Sequence, residues 1–263
     1  MTLFTLLITG AIGVAVMMLA LWLIQLRTKN AAIVDVGWAG GLAGLAMFYG
    51  LAADGDPLRR ALVAAMGGLW GLRLAGYLLA TRVIGQPEEG RYAHLRRTWA
   101  RNLNFKFLIF FQTQALLDVL LSVPFLLPAV NPRAGLSTIE LAAIGLFIVA
   151  LLGELSADAQ LKRFKADPAS RGRVCDVGLW RYSRHPNYFF EWLIWIAFAL
   201  FALPSPHGWI AFGAPALILY FLLRITGIPA TEAQALRSKG DAYRRYQETT
   251  SAFVPWPRRA GGS

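Results

Sequence analysis

Seven apolar stretches, each long enough to cross a hydrocarbon layer about 30 Å thick, constrain this chain more than any other feature. They are residues 3–26, 32–53, 61–83, 107–130, 138–161, 187–204 and 208–228. Lipid offers a backbone no hydrogen bonds, so such stretches cross as helices that satisfy their own N–H and C=O groups. The chain therefore reads as an all-α integral membrane protein with seven transmembrane helices. Composition agrees: 56% of residues are hydrophobic and 16% charged, against about 25% charged in an ordinary soluble domain. Only Ser205, Pro206 and His207 follow Pro204 before the last stretch, so spans six and seven are expected as a tight antiparallel pair.

The net charge of +11 points to topology rather than to nucleic acid. Of 26 Lys and Arg residues, 22 lie after spans one, three and five or from Arg224 onward. Arg59, Arg60 and Arg133 fall on the opposite side, and Arg73 falls within span three. Positive loops stay in the cytoplasm, which places the amino terminus outside and the carboxyl terminus inside.

The first span exceeds a signal-peptide core, and Arg27 and Lys29 follow it rather than precede it, so it reads as a retained anchor. The single Cys175 leaves no intramolecular disulfide, and His94, His185 and His207 are too scattered for a metal site. No repeat or low-complexity segment divides the chain. One membrane domain over residues 1–263 is expected, as a monomer, with residues 258–263 as a disordered tail.

Residues 178–192 pack two arginines, a histidine, an asparagine, two tyrosines and a glutamate against the start of span six. Ionisable groups at a membrane edge are costly, which makes such a cluster a candidate site. Basic residues that hold lipid headgroups account for Arg181 and Arg184. They do not account for Asn187 and Glu191, which lie four apart on one helix face. Three other spans carry polar groups: Asp35 and Trp38 in span two, Trp70, Arg73 and Tyr77 along one stripe of span three, and Glu154, Asp158 and Lys162 in span five. Interhelical salt bridges, such as Arg73 to Asp35 or to Asp118, are the structural explanation for them. The functional one is a shared interior ringed by basic loops. A ligand with an anionic end and a flat ring suits it, with phosphates on Lys162, Lys165, Arg171, Arg173 and Arg184 and a ring among Trp180, Tyr182, Tyr188 and Trp192. No Gly-x-Gly-x-x-Gly follows a strand, so a nucleotide would bind between helices.

The run Gly-Leu-Trp-Arg-Tyr-Ser-Arg-His-Pro-Asn-Tyr-Phe-Phe-Glu at 178–191 resembles the signature of the bacterial branch of the steroid 5-alpha-reductase-like family. Other family-like pieces are Val34-Asp35 with Trp38, residues 70–73, 89–92, 157–161 and 250–256, which together cover most of the chain. The resemblance implies seven helices in a bacterial inner membrane, with NADPH held between the carboxyl-terminal helices. Hydride would go to the C=C bond of a lipophilic enone such as a 3-oxo-delta-4 steroid.

Carried over by position, Asn187, Tyr188 and Glu191 are expected at the nicotinamide and ribose. Asp158, Lys162, Arg173 and Arg184 are expected at the adenine and phosphate end, and Trp180, Tyr182, His185 and Arg224 complete the cofactor set. Residues 138–257 are then mainly the cofactor side and residues 1–130 mainly the substrate side. Where the steroid enzymes use Glu and Tyr to grip the ketone, this chain offers Asp35 and Trp70, with Arg73 and Tyr77 nearby. Asp35 as a protonated donor would stabilise the developing oxyanion. Paired with Arg73, it would be structural and a Trp or Tyr would donate.

Two other readings compete. Isoprenylcysteine carboxyl methyltransferases, which use S-adenosylmethionine, resemble the chain at residues 184–188 and 243–246, but have paired glutamates where this chain has Glu232-Ala233. A transporter or lipid scaffold would show repeats or broken helices. The substrate class is open among sterols, quinones, polyprenyl enones and fatty enals.

Overall fold

Small residues let α2 (Ile33–Ala52) and α3 (Pro57–Leu78) approach closely. A Cβ on Gly71 would come within 2.7 Å of the Ala39 carbonyl and 2.8 Å of Ala43 Cβ, and one on Gly50 within 2.7 Å of Ala64 Cβ. Contacts of this kind join helices where lipid supplies no hydrophobic drive. The computed structural model describes residues 1–88, 90–99 and 101–258. Among them it contains α-helices and short 3-10 and π turns, with no named strand.

The chain divides into two compact units. Unit one comprises Met1–Ser137 with Ala202–Ala211. Here α1 (Leu3–Thr28) lies against α2 and α5 (Leu103–Leu121). Asp56 starts α3 by accepting the Arg59 N–H at 3.0 Å, with Pro57 in the first turn, a pairing that suits a helix start because proline has no N–H to leave unsatisfied. α3 runs on into a π turn, Leu79–Val83. The short polar helix α4 (Gly90–Thr98) follows, and α6 (Val123–Ala129) continues from α5 after a break.

Unit two comprises Thr138–Phe201 and Phe212–Ser263. It holds α7 (Thr138–Ala166), most of α8 (Pro186–Ala202), α9 (Gly213–Tyr220) with a π turn at Phe221–Ile225, α10 (Ile228–Lys239) and α11 (Asp241–Thr249). Gly153 brings α7 against the Phe190 ring of α8, and Trp192 Nε1 donates to the Pro215 carbonyl at 3.1 Å, tying α8 to α9.

Among the described residues, six helical segments are long and apolar enough to span a membrane. The chain is thus a helical membrane protein. The expected sixth span is α8, whose 17 residues extend about 26 Å at roughly 1.5 Å per residue, the lower limit for crossing. The expected fourth span is broken: residues 107–130 divide at Ser122, because Pro124, in the first turn of α6, supplies no N–H to a continuous ladder. Arg59, assigned by sequence to an outer loop, is fully buried and donates to the Arg133 and Gly135 carbonyls at 2.6 Å each. Arg258, expected to begin a disordered tail, donates to Asp176 Oδ2 at 2.9 Å. The rest of that expected tail, 259–263, lies outside the described residues, as do 89 and 100.

Candidate functional site

The 178–191 signature folds as a turn that enters α8 against the carboxyl-terminal segment. Gly178 has φ +58°, and a Cβ there would stand 2.5 Å from Gln160 Oε1, so glycine suits both the backbone and the space. Gln160 Oε1 in turn accepts the Leu179 N–H at 2.9 Å. Trp180 is buried, and its Nε1 donates to the Ala157 carbonyl at 2.9 Å. That indole is an anchor of the loop on α7. Ser183 Oγ donates to the Phe253 carbonyl at 2.8 Å and accepts the His185 N–H at 3.1 Å. Arg184 N–H donates to the Ser251 carbonyl at 2.8 Å, and Trp256 N–H to the Tyr182 carbonyl at 2.9 Å. Residues 250–256, a separate family-like piece in the sequence, are therefore the structural partner of the signature. Tyr246 adds a hydroxyl bonded to the Trp180 and Ser183 carbonyls.

Arg184 is committed to the protein. Its Nε donates to Glu232 Oε1 at 2.7 Å, and its Nη1 to the Gln247 and Thr250 carbonyls at 2.9 and 2.6 Å. Glu232 also lies 3.3 Å from His185 Nε2 and accepts Gln247 Nε2 at 2.7 Å. His185 is buried and stacks on the Tyr188 ring at 5.3 Å with planes 5° apart. The Tyr188 hydroxyl reaches Thr231 Oγ1 at 3.2 Å.

Further along α8, Asn187 Nδ2 donates to Asp158 Oδ1 of α7 at 3.2 Å. Its own Oδ1 is buried and accepts no hydrogen bond among the described residues. Glu191 accepts Trp195 Nε1 at 3.0 Å one turn on. Lys162, Arg173 and Arg224 are exposed, the last in the π turn that ends α9, and Tyr182 is 45% exposed. Of the expected cofactor set, then, Asp158, Trp180, Arg184, His185, Asn187, Tyr188 and Glu191 have polar or stacking partners within unit two, and Lys162, Arg173 and Arg224 are exposed. Glu232, which the sequence raised only in the methyltransferase comparison and not in the expected cofactor set, is the central residue of this network. Its signal was there in a single acid following Thr231, but only folding reveals its distance to Arg184.

In unit one, the sequence offered Arg73 as a counter-ion for Asp35 or Asp118. Asp35 instead accepts the Tyr92 hydroxyl at 2.6 Å and pairs with Arg91 Nη2 at 3.1 Å and Arg82 Nη1 at 3.4 Å. The π turn that carries Arg82 and the helix that carries Arg91 and Tyr92 bring these donors to the start of α2. Tyr92 is fully buried, and burial, reinforced by the Asp35 charge, pushes its hydroxyl well above the ordinary tyrosine range. Asp118 is fully buried with neither carboxyl oxygen hydrogen-bonded among the described residues. Trp70 is buried and meets Trp38 edge-on at 6.0 Å, Arg73 is half-buried, and Tyr77 is 47% exposed. Beside Asp35, Glu88 accepts the Ala31 N–H at 2.8 Å and two donors of Arg96 at 2.9 and 2.8 Å. That clip fastens the loop before α2 to α4.

A family model described as "Protein of unknown function (DUF1295)" matches residues 21–250. An uncharacterized protein of Schizosaccharomyces pombe is 28% identical over 265 aligned positions, which cover 89% of this chain and 75% of the relative. That relative is from a yeast, so the comparison gives no support to the expected bacterial inner membrane. No solved structure matches the chain.

Proposed function

Because the chain belongs to the DUF1295 family, which is related to steroid 5-alpha-reductase-like proteins, we propose that it is an NADPH-dependent membrane reductase acting on the C=C bond of a lipophilic enone. The observation that carries this reading is the Asn187 amide. Its nitrogen is held by Asp158, while its oxygen is a buried acceptor without a partner among the described residues. A buried acceptor left unmatched costs about 1–3 kcal/mol, and the carboxamide N–H of a nicotinamide would satisfy it.

The neighbouring donors suit the rest of such a cofactor. Tyr188, stacked on His185, offers an aromatic edge, and the exposed Lys162, Arg173 and Arg224 offer charge to phosphates. Arg184 contributes differently from the other cations, since its bonds to Glu232 and two carbonyls hold the loop in place. When bound, the dinucleotide would supply the hydride for the β-carbon of the enone, and a proton would go to the α-carbon. The residues of this chain bind and orient. Asp35, already accepting from Tyr92 and paired with two arginines, acts in this reading as the organiser of a hydroxyl and two guanidinium groups. It is not itself the donor to a ketone. The same reading takes α8 as a seventh span, with the amino terminus outside and the basic loops in the cytoplasm.

The Arg184, His185 and Glu232 contacts also suit the methyltransferase resemblance, which rests on the same Arg-His-Pro motif. Titration of the purified protein with NADPH and with S-adenosylmethionine separates the two. Saturable binding of NADPH alone, with consumption of NADPH upon addition of an enone, supports the reductase. Binding of S-adenosylmethionine alone overturns it.

A further inference from the structure

An apolar groove of about 320 Å³ lies in unit one, lined by Gly10, Gly13, Met17, Gly41, Gly44 and Phe48 among others of α1 and α2. Its glycines are of two kinds. Gly10 and Gly41 are pressed against neighbours, whereas a Cβ on Gly13 or Gly44 would meet no protein atom within 4 Å. Behind Gly41 stands Asp118 of α5. A Cβ on Gly41 would collide with its Oδ2, and Met17 Cε would lie 3.0 Å from the same point. The carboxyl is thus aimed at the wall of the groove, screened by a bare glycine and a flexible thioether side chain. Asp118 is fully buried, and both of its oxygens are unmatched among the described residues. A polar group left in that condition is costly.

We propose that this groove binds a lipid alcohol, whose hydrocarbon body lies along the glycine surface of α1 and α2 and whose hydroxyl donates to Asp118 Oδ2 once Met17 swings aside. A hydroxyl is the small group that can donate to this carboxyl while its body stays in lipid. A plain hydrocarbon tail fills the groove but leaves the oxygens unmatched. The site is independent of the dinucleotide reading, because every residue it uses lies in unit one.

The test uses the full chain in phospholipid nanodiscs, with tritiated farnesol as probe and farnesene as the hydrocarbon competitor. Wild-type protein should prefer the alcohol by about tenfold, the size of one hydrogen bond to a buried group. Asp118→Leu should abolish that preference. Gly13→Leu combined with Gly44→Leu should displace farnesol by filling the groove from two positions where a Cβ meets no neighbour within 4 Å, with NADPH titration as a separate readout of unit two. Equal retention of farnesol and farnesene by wild type would reduce the groove to a general lipid contact and overturn the proposal. So would unchanged farnesol retention in the doubly substituted protein. If Asp118→Leu does not fold, the glycine variants and the wild-type preference still decide.

Discussion

Arg184 and Glu232 lie 48 residues apart in sequence and meet at 2.7 Å, with their side chains 11% and 14% exposed. The pair joins the signature loop to α10, and the carbonyls of Gln247 and Thr250 complete the arginine's coordination. Removing one partner of such a pair strands the other charge, at a cost of about 3–5 kcal/mol. Glu232→Ala should therefore lower the unfolding temperature in detergent sharply. Glu232→Ala with Arg184→Met should recover part of the loss, and scanning fluorimetry of the set checks it.

Gly178 makes a narrower prediction. Alanine there must hold φ +58° and displace the Gln160 amide, so Gly178→Ala should cost roughly 1–3 kcal/mol. Gln160→Ala gives up one hydrogen bond, at about 1 kcal/mol. Because both changes act through the same contact, the double variant should fall short of the sum of the single losses, as equilibrium unfolding would show.

The Glu88 clip predicts a pH dependence. Burial pushes its carboxyl up, but the Arg96 guanidinium and the Ala31 N–H outweigh burial and hold it below the usual glutamate value. A depressed pKa means that the clip's contribution is fully present above the unfolded value of about 4.3. It is lost as pH falls through the lower folded value. Wild-type thermal stability should drop over that acid range more than that of Glu88→Gln, which lacks the titrating group. Parallel curves for the two proteins would contradict the assignment.

Asp35 separates structure from chemistry. Asp35→Asn keeps a polar side chain at α2 but removes the charge that Arg91 and Arg82 face. The variant should lose stability by about 1–2 kcal/mol, as expected when hydrogen bonds to a charged group are weakened, and bind NADPH as wild type does. Calorimetric titration beside a melting curve measures both.

Spans were legible where long apolar runs outweigh a few charged residues, as in α1, α2, α3 and α7. The polar helices α4, α10 and α11 were not, since none carries a long apolar run and each owes its place to contacts far away in sequence. The break at Ser122 was written in Pro124, but hydropathy averages over such signals. The site was half legible. Asn187, Asp158 and Tyr188 were readable from motif and spacing, while Glu232 and the Tyr92–Asp35 bond depend on distances that only the fold sets. Trp180 and Arg184 were assigned to a ligand because aromatic and basic side chains suit one. Both also tie the loop within the protein, through hydrogen bonds to the Ala157, Gln247 and Thr250 carbonyls.

The most direct test of the central claim is the affinity of the purified protein for NADPH, measured by quenching of tryptophan fluorescence, in wild type, Asn187→Ala and Glu191→Ala. The proposed site predicts saturable binding by wild type, weakened about tenfold or more in Asn187→Ala, as one lost buried hydrogen bond implies, and weakened also in Glu191→Ala. NADH should bind less tightly than NADPH, because Lys162, Arg173 and Arg224 are available to a further phosphate. No saturable binding by wild type, or affinities unchanged in both variants, would contradict it.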